Sequence, residues 1–272
     1  MKSIAGVGIG QVKAVYGGAE GDLWELIMGE QIHIGGFKSS ADLAERAGIG
    51  AHQRGVDLCA CSGAGMRFLV RFREVASMTG VDVTPTVVER GRMRCKDEGL
   101  DERIRFELAD VCDSGLPGAE ADFVWGEDAW CYVEDKPRLI AEATRIVKPG
   151  GTIAFTDWVE GPAGLADDEA ERVLGFMKFP TLCSIEDYRA LLEQNGCEVL
   201  EADDTGRFAS YMDLYVSMID MQLTYDALKI IGFDTAVMEA MAGEMASMQA
   251  LAHAGKITQG RFIARKGEAS RV

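Results

Sequence analysis

The spacing of apolar positions changes character at Gly55. Before it, Val15, Leu23, Leu26 and Ile27 recur at helical intervals and predict one helix over Val12–Met28. The stretch Gly29-Glu-Gln-Ile-His-Ile-Gly-Gly36 breaks that helix. Ser39 or Ser40 then reads as the N-cap of a short helix, Ala41–Ala47, which Gly48 ends. From Gly55 onward, short apolar runs alternate with helical ones, the pattern of a parallel sheet with crossover helices. The runs Gly55–Cys59, Ser77–Val81, Ile104–Ala109, Ala121–Trp125 and Thr152–Thr156 are predicted strands. Met66–Arg73 carries Phe68, Leu69 and Phe72 on one helical side. Lys136–Val147 turns Leu139, Ile140, Ala143 and Ile146 inward. It stops at Lys148-Pro-Gly-Gly151, where Pro149 cannot continue a helix and the glycines supply a turn.

Further on, Ser184 with Asp187 three residues later forms a capping-box pattern for a helix bearing Tyr188, Leu191 and Leu192. Asn195-Gly196 closes it ahead of a strand at Glu198–Ala202, and Gly260–Arg265 reads as the last strand. Between those strands lies a methionine-rich helical segment, Ala209–Ala254, with Met212, Met218, Met221, Met238, Met241, Met245 and Met248. Such a stripe ordinarily packs a core; its functional version is an adaptable lid shaping a pocket. The expected organisation is one structural domain in four parts: an N-terminal helical cap (1–54), an α/β core (55–208), a Met-rich helical lid (209–256), and the last strand and tail (257–272).

At 272 residues and 47% apolar composition, the chain can bury a sizeable core and is not broadly disordered. No stretch approaches the roughly 18–20 apolar residues of a membrane span. The N-terminus lacks the apolar core of a secretion signal, so the chain reads as cytoplasmic. A net charge of −16 repels phosphate backbones and disfavours nucleic-acid or anionic-membrane partners. Seven cysteines at irregular spacing without a CxxC pair imply reduced thiols, and three histidines make a histidine-rich metal site improbable. No metal is expected.

The chemistry concentrates at strand ends. Asp57-Leu-Cys-Ala-Cys-Ser-Gly-Ala-Gly65 places an acid at the end of a strand, then a tight small-residue loop, then a helix. This is how an α/β sheet brings backbone N–H groups up to a nucleotide-type cofactor. Asp82 and Asp110 fall at the ends of the next two strands, where a nucleoside would need them.

In order and spacing, Asp57–Gly65, Gly-Val-Asp-Val83, Ala-Asp-Val111, Trp-Gly-Glu-Asp-Ala-Trp130 and Arg-Ile-Val-Lys-Pro-Gly-Gly151 resemble the class I S-adenosylmethionine-dependent methyltransferases. Gly29-Glu-Gln-Ile-His-Ile-Gly35, Met66-Arg-Phe-Leu-Val-Arg71 and Ala254-Gly-Lys-Ile-Thr-Gln-Gly260 further resemble sarcosine/dimethylglycine N-methyltransferases. The resemblance runs from about Gly29 to Lys266. It implies a Rossmann-like, seven-stranded, mostly parallel sheet with an antiparallel last strand, and S-adenosyl-L-methionine as cofactor. One departure stands out: Cys59 and Cys61 replace the first two glycines of the family loop, while Gly63 is kept. Cysteine fits there if its φ is negative.

The resemblance implies that Asp82 accepts hydrogen bonds from both ribose hydroxyls, with Val83 beside it. It also implies that Asp110 takes the adenine amino group, with the Val111 N–H on a ring nitrogen. A helix N-cap is the plain alternative for Asp110. Asp57 is expected to order the loop through backbone N–H groups. Glu127 is assigned to the cofactor side and Asp128, Trp130 and Tyr132 to catalysis, because they follow the fourth strand at the sheet edge where ligands bind. Trp24, Trp158 and Tyr225 could complete an aromatic cage for a developing quaternary ammonium, although aromatics commonly just pack cores. A substrate carboxylate would need a donor from Gln31, His33 or Arg207.

The expected reaction is in-line methyl transfer to a small glycine-derived amine. A tertiary amine attacks without losing a proton afterwards, so strong acid–base residues are dispensable. The alternatives are C- or O-methylation of an isoprenoid, sterol or quinone-like acceptor, an NAD(P)-dependent oxidoreductase, and a catalytically silent cofactor-binding protein. The partner is a small-molecule methyl acceptor; a homodimer is compatible with the sequence.

Overall fold

The computed structural model describes residues 1–268; the end of the expected tail, residues 269–272, lies outside the described residues. The strands are β1 (Lys2–Ser3), β2 (Arg54–Leu58), β3 (Ser77–Asp82), β4 (Ile104–Leu108), β5 (Ala121–Glu127), β6 (Val147–Glu160), β7 (Thr181–Leu182), β8 (Cys197–Asp204) and β9 (Ile257–Lys266). Seven of them form one sheet in the order β4-β3-β2-β5-β6-β9-β8. The first five in that order run parallel, and β9 runs antiparallel to both its neighbours. This is the Rossmann-like sheet with a reversed last strand that the resemblance implies. β1 and β7 form a separate two-stranded ribbon.

Helices α1 (Ile9–Tyr16), α2 (Ala19–Met28) and α3 (Gly36–Arg46) precede the sheet. Helices α4 (Ala64–Phe72), α5 (Pro85–Asp97), α6 (Lys136–Ile146), α7 (Asp167–Met177) and α8 (Ile185–Gln194) lie between its strands. Helices α9 (Phe208–Met221), α10 (Thr224–Ile230) and α11 (Thr235–His253) fill the insertion before β9. The sheet core is tightly packed. A Cβ on Gly55 would lie 2.2 Å from the Phe123 ring, so the inner strands β2 and β5 meet only with glycine there.

Several predicted boundaries move, each for an identifiable reason. The single helix expected over 12–28 is two, because Gly17 and Gly18 interrupt it. Helix α3 starts at Gly36 behind Gly35, whose φ of +91° favours glycine, so Ser39 and Ser40 lie buried inside the helix and cap nothing. The turn at Pro149 becomes a bulge: β6 already pairs Val147 with Ala121 and resumes at Thr152 opposite Phe123. The Ser184–Asp187 capping box forms as expected, Asp187 N–H donating to Ser184 Oγ at 3.1 Å and Ser184 N–H to the Asp187 carboxylate at 2.8 Å.

The methionine-rich segment is three helices. Asp234 caps the third, accepting from the N–H groups of Ala236 and Val237. Met212, Met245 and Met248 are buried in a hydrophobic cluster with Trp24, Trp158 and Phe208, whereas Met221 is 78% exposed. Core packing accounts for these three methionines, while Met218, Met238 and Met241 are half-buried.

Candidate active site

β2 ends at Leu58, and the chain turns through Cys59–Gly63 into α4. The loop is held by its neighbour strand: Cys59 and Ala60 N–H groups donate to the Val81 carbonyl at 3.0 and 3.1 Å. Cys61 N–H donates to Asp82 Oδ2 at 2.9 Å, and Thr84 N–H to Asp82 Oδ1 at 2.8 Å. Cys59 (φ +65°) and Cys61 (φ +47°) both adopt the left-handed conformation that favours glycine. The condition of a negative φ for cysteine at these positions is therefore not met. The loop keeps the backbone that glycines would adopt, at a cost of roughly 1–2 kcal/mol per Cβ.

The acid that orders the loop is Asp82, not Asp57. Among the described residues the Asp57 carboxylate makes no hydrogen bond, although it is 5% exposed. Burial raises its pKa well above the usual carboxylate value, and the nearby Glu127 and Asp82 carboxylates add to this. Burial also raises Asp82, opposed by its hydrogen bonds from Thr84 and Cys61. Burial chiefly, with Asp82 adding, pushes the Cys61 thiol up to about 12, and Cys59 is raised in the same way. Both therefore stay as neutral thiols.

These groups border a cavity of about 640 Å³ at the carboxyl ends of β2, β3 and β5. Asp57, Cys59, Cys61, Asp82 and Val83 line it, as do Asp110 and Val111 from the loop after β4 and Glu127 at the end of β5. Gly63 does not; at φ +76° it is the N-cap of α4, and a Cβ there would lie 2.5 Å from Phe106. At Gly65 a Cβ would lie 2.5 Å from Glu127 Oε2 and 3.6 Å from Asp57 Oδ2, so the helix start and two carboxylates share one crowded corner. Asp110 caps no helix. It accepts the Cys112 N–H at 2.8 Å in a local turn.

From that corner, Glu127 Oε1 accepts from Ser40 Oγ at 2.6 Å and lies 3.3 Å from His33 Nε2. Gln31 Nε2 donates to Ser40 Oγ at 2.9 Å. Gln31, His33 and Tyr132 line the cavity, and the Tyr16 hydroxyl donates to the Tyr132 hydroxyl at 2.7 Å. Burial raises both phenols well above their ordinary pKa, so they act as neutral hydroxyls.

The other expected substrate and catalytic residues are placed differently. Asp128 borders the cavity, but its carboxylate is engaged by Gln259 Nε2 at 2.8 and 2.9 Å and by the Ile34 N–H at 2.7 Å. Trp130 is fully buried away from the cavity, donating to the Leu58 carbonyl and stacking on Phe155 at 4.0 Å. Trp24 packs edge-on to Phe176, and Trp158 packs edge-on to Phe179 and Phe208; neither reaches the cavity. Arg207 is ion-paired with Asp42 at 2.8 Å outside it. Tyr225 is 69% exposed on α10. The aromatic cage expected from sequence does not form.

The sequence reading missed Tyr16, Ser40, Glu30 and Arg138, which fold around or support the same cavity. Tyr16 follows an apolar helical run and reads as packing. The only local signal was the Gly17-Gly18 break, which ends α1 with Tyr16 as its last residue.

The methyltransferase-domain family matches residues 56–155, the β2–β6 portion that carries the loop and the strand-end acids. The chain is 29% identical over 202 residues to 27-O-demethylrifamycin SV methyltransferase of Amycolatopsis mediterranei, covering 69% of this chain and 74% of that protein. It is 30% identical over 141 residues to dimethylglycine N-methyltransferase of Parasynechococcus marenigrum, covering 52% of this chain and 50% of that one, so it spans only half of that relative. A crystal structure from Galdieria sulphuraria, provisionally described as a sarcosine dimethylglycine methyltransferase, superposes with a TM-score of 0.78 at 22% identity. The match covers 92% of this chain and 98% of that one. Among the described residues no helix is long and apolar enough to cross a membrane. Residues 56–155 match a methyltransferase domain, and over a longer stretch the chain is similar to small-molecule methyltransferases.

Proposed function

We propose that this protein transfers the methyl group of S-adenosylmethionine to the nitrogen of a small, glycine-derived amine. The residues present fit the cofactor. Asp82 has two of its lone-pair positions taken by backbone N–H groups and two left for ribose hydroxyls. The buried, unpartnered Asp57 carboxylate suits an ammonium, and Gly65 leaves the helix start bare of a Cβ. Asp110 and Val111 would take the adenine edge. When bound, the cofactor supplies an electrophilic methyl on a sulfonium. The chain's own work is to orient the acceptor and exclude water.

The observation that carries the amine reading is the charge of the lining. Asp57, Asp82, Asp110, Glu127, Asp128, Glu134 and Asp135 line the cavity, as does Glu30, which pairs with Arg67 and Arg94; among the described residues Arg138 is the one arginine or lysine in the lining. Such a field favours an acceptor that gains positive charge during transfer. Tyr16 and Tyr132 offer neutral hydroxyls and ring faces to it. Gln31 and His33 are the donors placed nearest a carboxylate end. A tertiary amine needs no base, in keeping with phenols and thiols held neutral.

A second reading, O-methylation of a hydroxyl, is favoured by one feature: His33 Nε2 lies 3.3 Å from Glu127, an arrangement able to relay a proton. The relationship to the Amycolatopsis enzyme supports it as well. Incubation with isotope-labelled S-adenosylmethionine and sarcosine, dimethylglycine or hydroxylated polyketides, followed by mass spectrometry, separates the two. Label on nitrogen is expected; label confined to oxygen would replace the amine reading with the second.

A further inference from the structure

Behind the cavity, a lysine and an aspartate that face no ligand space hold the turn carrying Tyr132. Lys136 and Asp157 are both 0% exposed. Asp157 Oδ1 accepts the Cys131 N–H at 3.1 Å, and its Oδ2 accepts the Tyr188 hydroxyl at 2.5 Å. From the other side, Lys136 Nζ donates to the carbonyls of Cys131 and Val133 and to Thr181 Oγ1, the last at 2.6 Å. The residues before and after Tyr132 are therefore both tied, while Tyr132 projects its hydroxyl onto Tyr16. Among the described residues no carboxylate lies within 4.0 Å of Lys136 Nζ. Burying a lysine head group without a contact ion pair is expensive, and here that cost is met by hydrogen bonds to the backbone on both sides of Tyr132.

We propose that Lys136 and Asp157 are positioning residues that set the placement of Tyr132, and with it the Tyr16–Tyr132 hydrogen bond, at the acceptor end of the cavity. The proposal rests on the reading that Tyr132 meets the acceptor. Misplacing such a group by an ångström can cost as much as about 100-fold in turnover. Merely stabilising groups at this site would instead shift folding and leave the phenol pair alone.

The test has two arms. In protein labelled with 13C at the tyrosine ζ-carbon, with Y16F and Y132F assigning the resonances, K136M is expected to move the Tyr16 and Tyr132 signals. Exposed Tyr225 should stay in place, and S-adenosylhomocysteine affinity should hold within about twofold. Unmoved Tyr16 and Tyr132 resonances overturn the proposal without reference to any acceptor. With dimethylglycine as acceptor, K136M should lower kcat roughly tenfold or more, but less than about threefold in a Y132F background. Equal losses in both backgrounds would also overturn it. No methylation of dimethylglycine by the unmutated protein would count against the amine reading alone, leaving the resonance arm decisive. Should K136M not fold, Thr181→Val removes one acceptor of Lys136 and is expected to move the same resonances by less; unmoved signals in that variant would likewise overturn the proposal.

Discussion

Cys61 donates its backbone N–H to Asp82 at 2.9 Å, which ties the loop after β2 to the acid that ends β3. The acid expected to seat a ribose thus also fixes the loop expected to seat the rest of the cofactor. Asp82→Asn keeps one acceptor oxygen where two backbone N–H groups and a ligand need acceptors. The variant is expected to weaken S-adenosylhomocysteine binding by roughly ten- to a hundredfold, since hydrogen bonds to charged groups contribute about 1.5–3 kcal/mol. Isothermal titration reads this directly, and unchanged affinity would remove Asp82 from the cofactor site.

The left-handed backbone at Cys59 and Cys61 predicts that glycine is tolerated and larger residues are not. In Cys61→Gly, relief of roughly 1–2 kcal/mol of strain is partly offset by the greater freedom of an unfolded glycine, about 0.5–1 kcal/mol. The net expectation is a rise in urea midpoint equivalent to roughly 0–1 kcal/mol, with cofactor affinity undiminished. Cys61→Val, β-branched at the same φ, should lose more than about 1 kcal/mol. A destabilised glycine variant would mean the cysteine side chain contributes contacts that outweigh its strain.

Gly65 lies where a Cβ would come within 2.5 Å of Glu127 Oε2, and Glu127 cannot swing away freely because Ser40 and His33 hold its other oxygen. Gly65→Ala is expected to destabilise by about 1–3 kcal/mol, as overpacking does, and to impair cofactor binding. Adding Glu127→Ala should restore much of the stability but not the activity. Thermal melts of the single and double variants check this; losses that simply add would place the clash elsewhere.

Two carboxyls give stability opposite pH dependences. Asp157 is raised to about 7 by burial, with Asp128 adding to this and Lys136, Tyr188 and the Cys131 N–H opposing it. Its native form binds a proton more tightly than an unfolded carboxyl near 3.9, so its contribution falls as pH rises from about 4 to about 7 and is flat above. The span is at most roughly 4 kcal/mol. Glu142 is lowered to about 2, first by its hydrogen bond from Arg145, and its contribution is present above about 4.5 and lost as pH falls through 2. Denaturation midpoints at pH 5 and 8 should therefore draw closer in Asp157→Asn, with buried Asp57 retaining part of the difference, and stay as far apart as before in Glu142→Gln. A pH dependence between 5 and 8 that survives undiminished in Asp157→Asn would assign it to another group.

The alternation of strand and helix, the strand-end acids, the end of α6 just before Lys148-Pro149 and the Ser184 cap were all legible in sequence, because each depends on residues only a few positions apart. Local spacing determines which face of an element is apolar and where the backbone can turn, and the proposed cofactor side of the site is built from such turns. The acceptor side is not. Whether a tryptophan lines a cavity or packs behind one depends on which elements lie against it, and Trp24, Trp130 and Trp158 found hydrophobic neighbours in place of ligand space. Asp128 and Arg207 were claimed by Gln259 and Asp42, partners 131 and 165 residues away in the chain. Only tertiary packing brought Tyr16 from the first helix to Tyr132 after the fourth strand of the large sheet, 116 residues later, because hydrogen bonds between side chains are set by the meeting of surfaces, not by the order of residues.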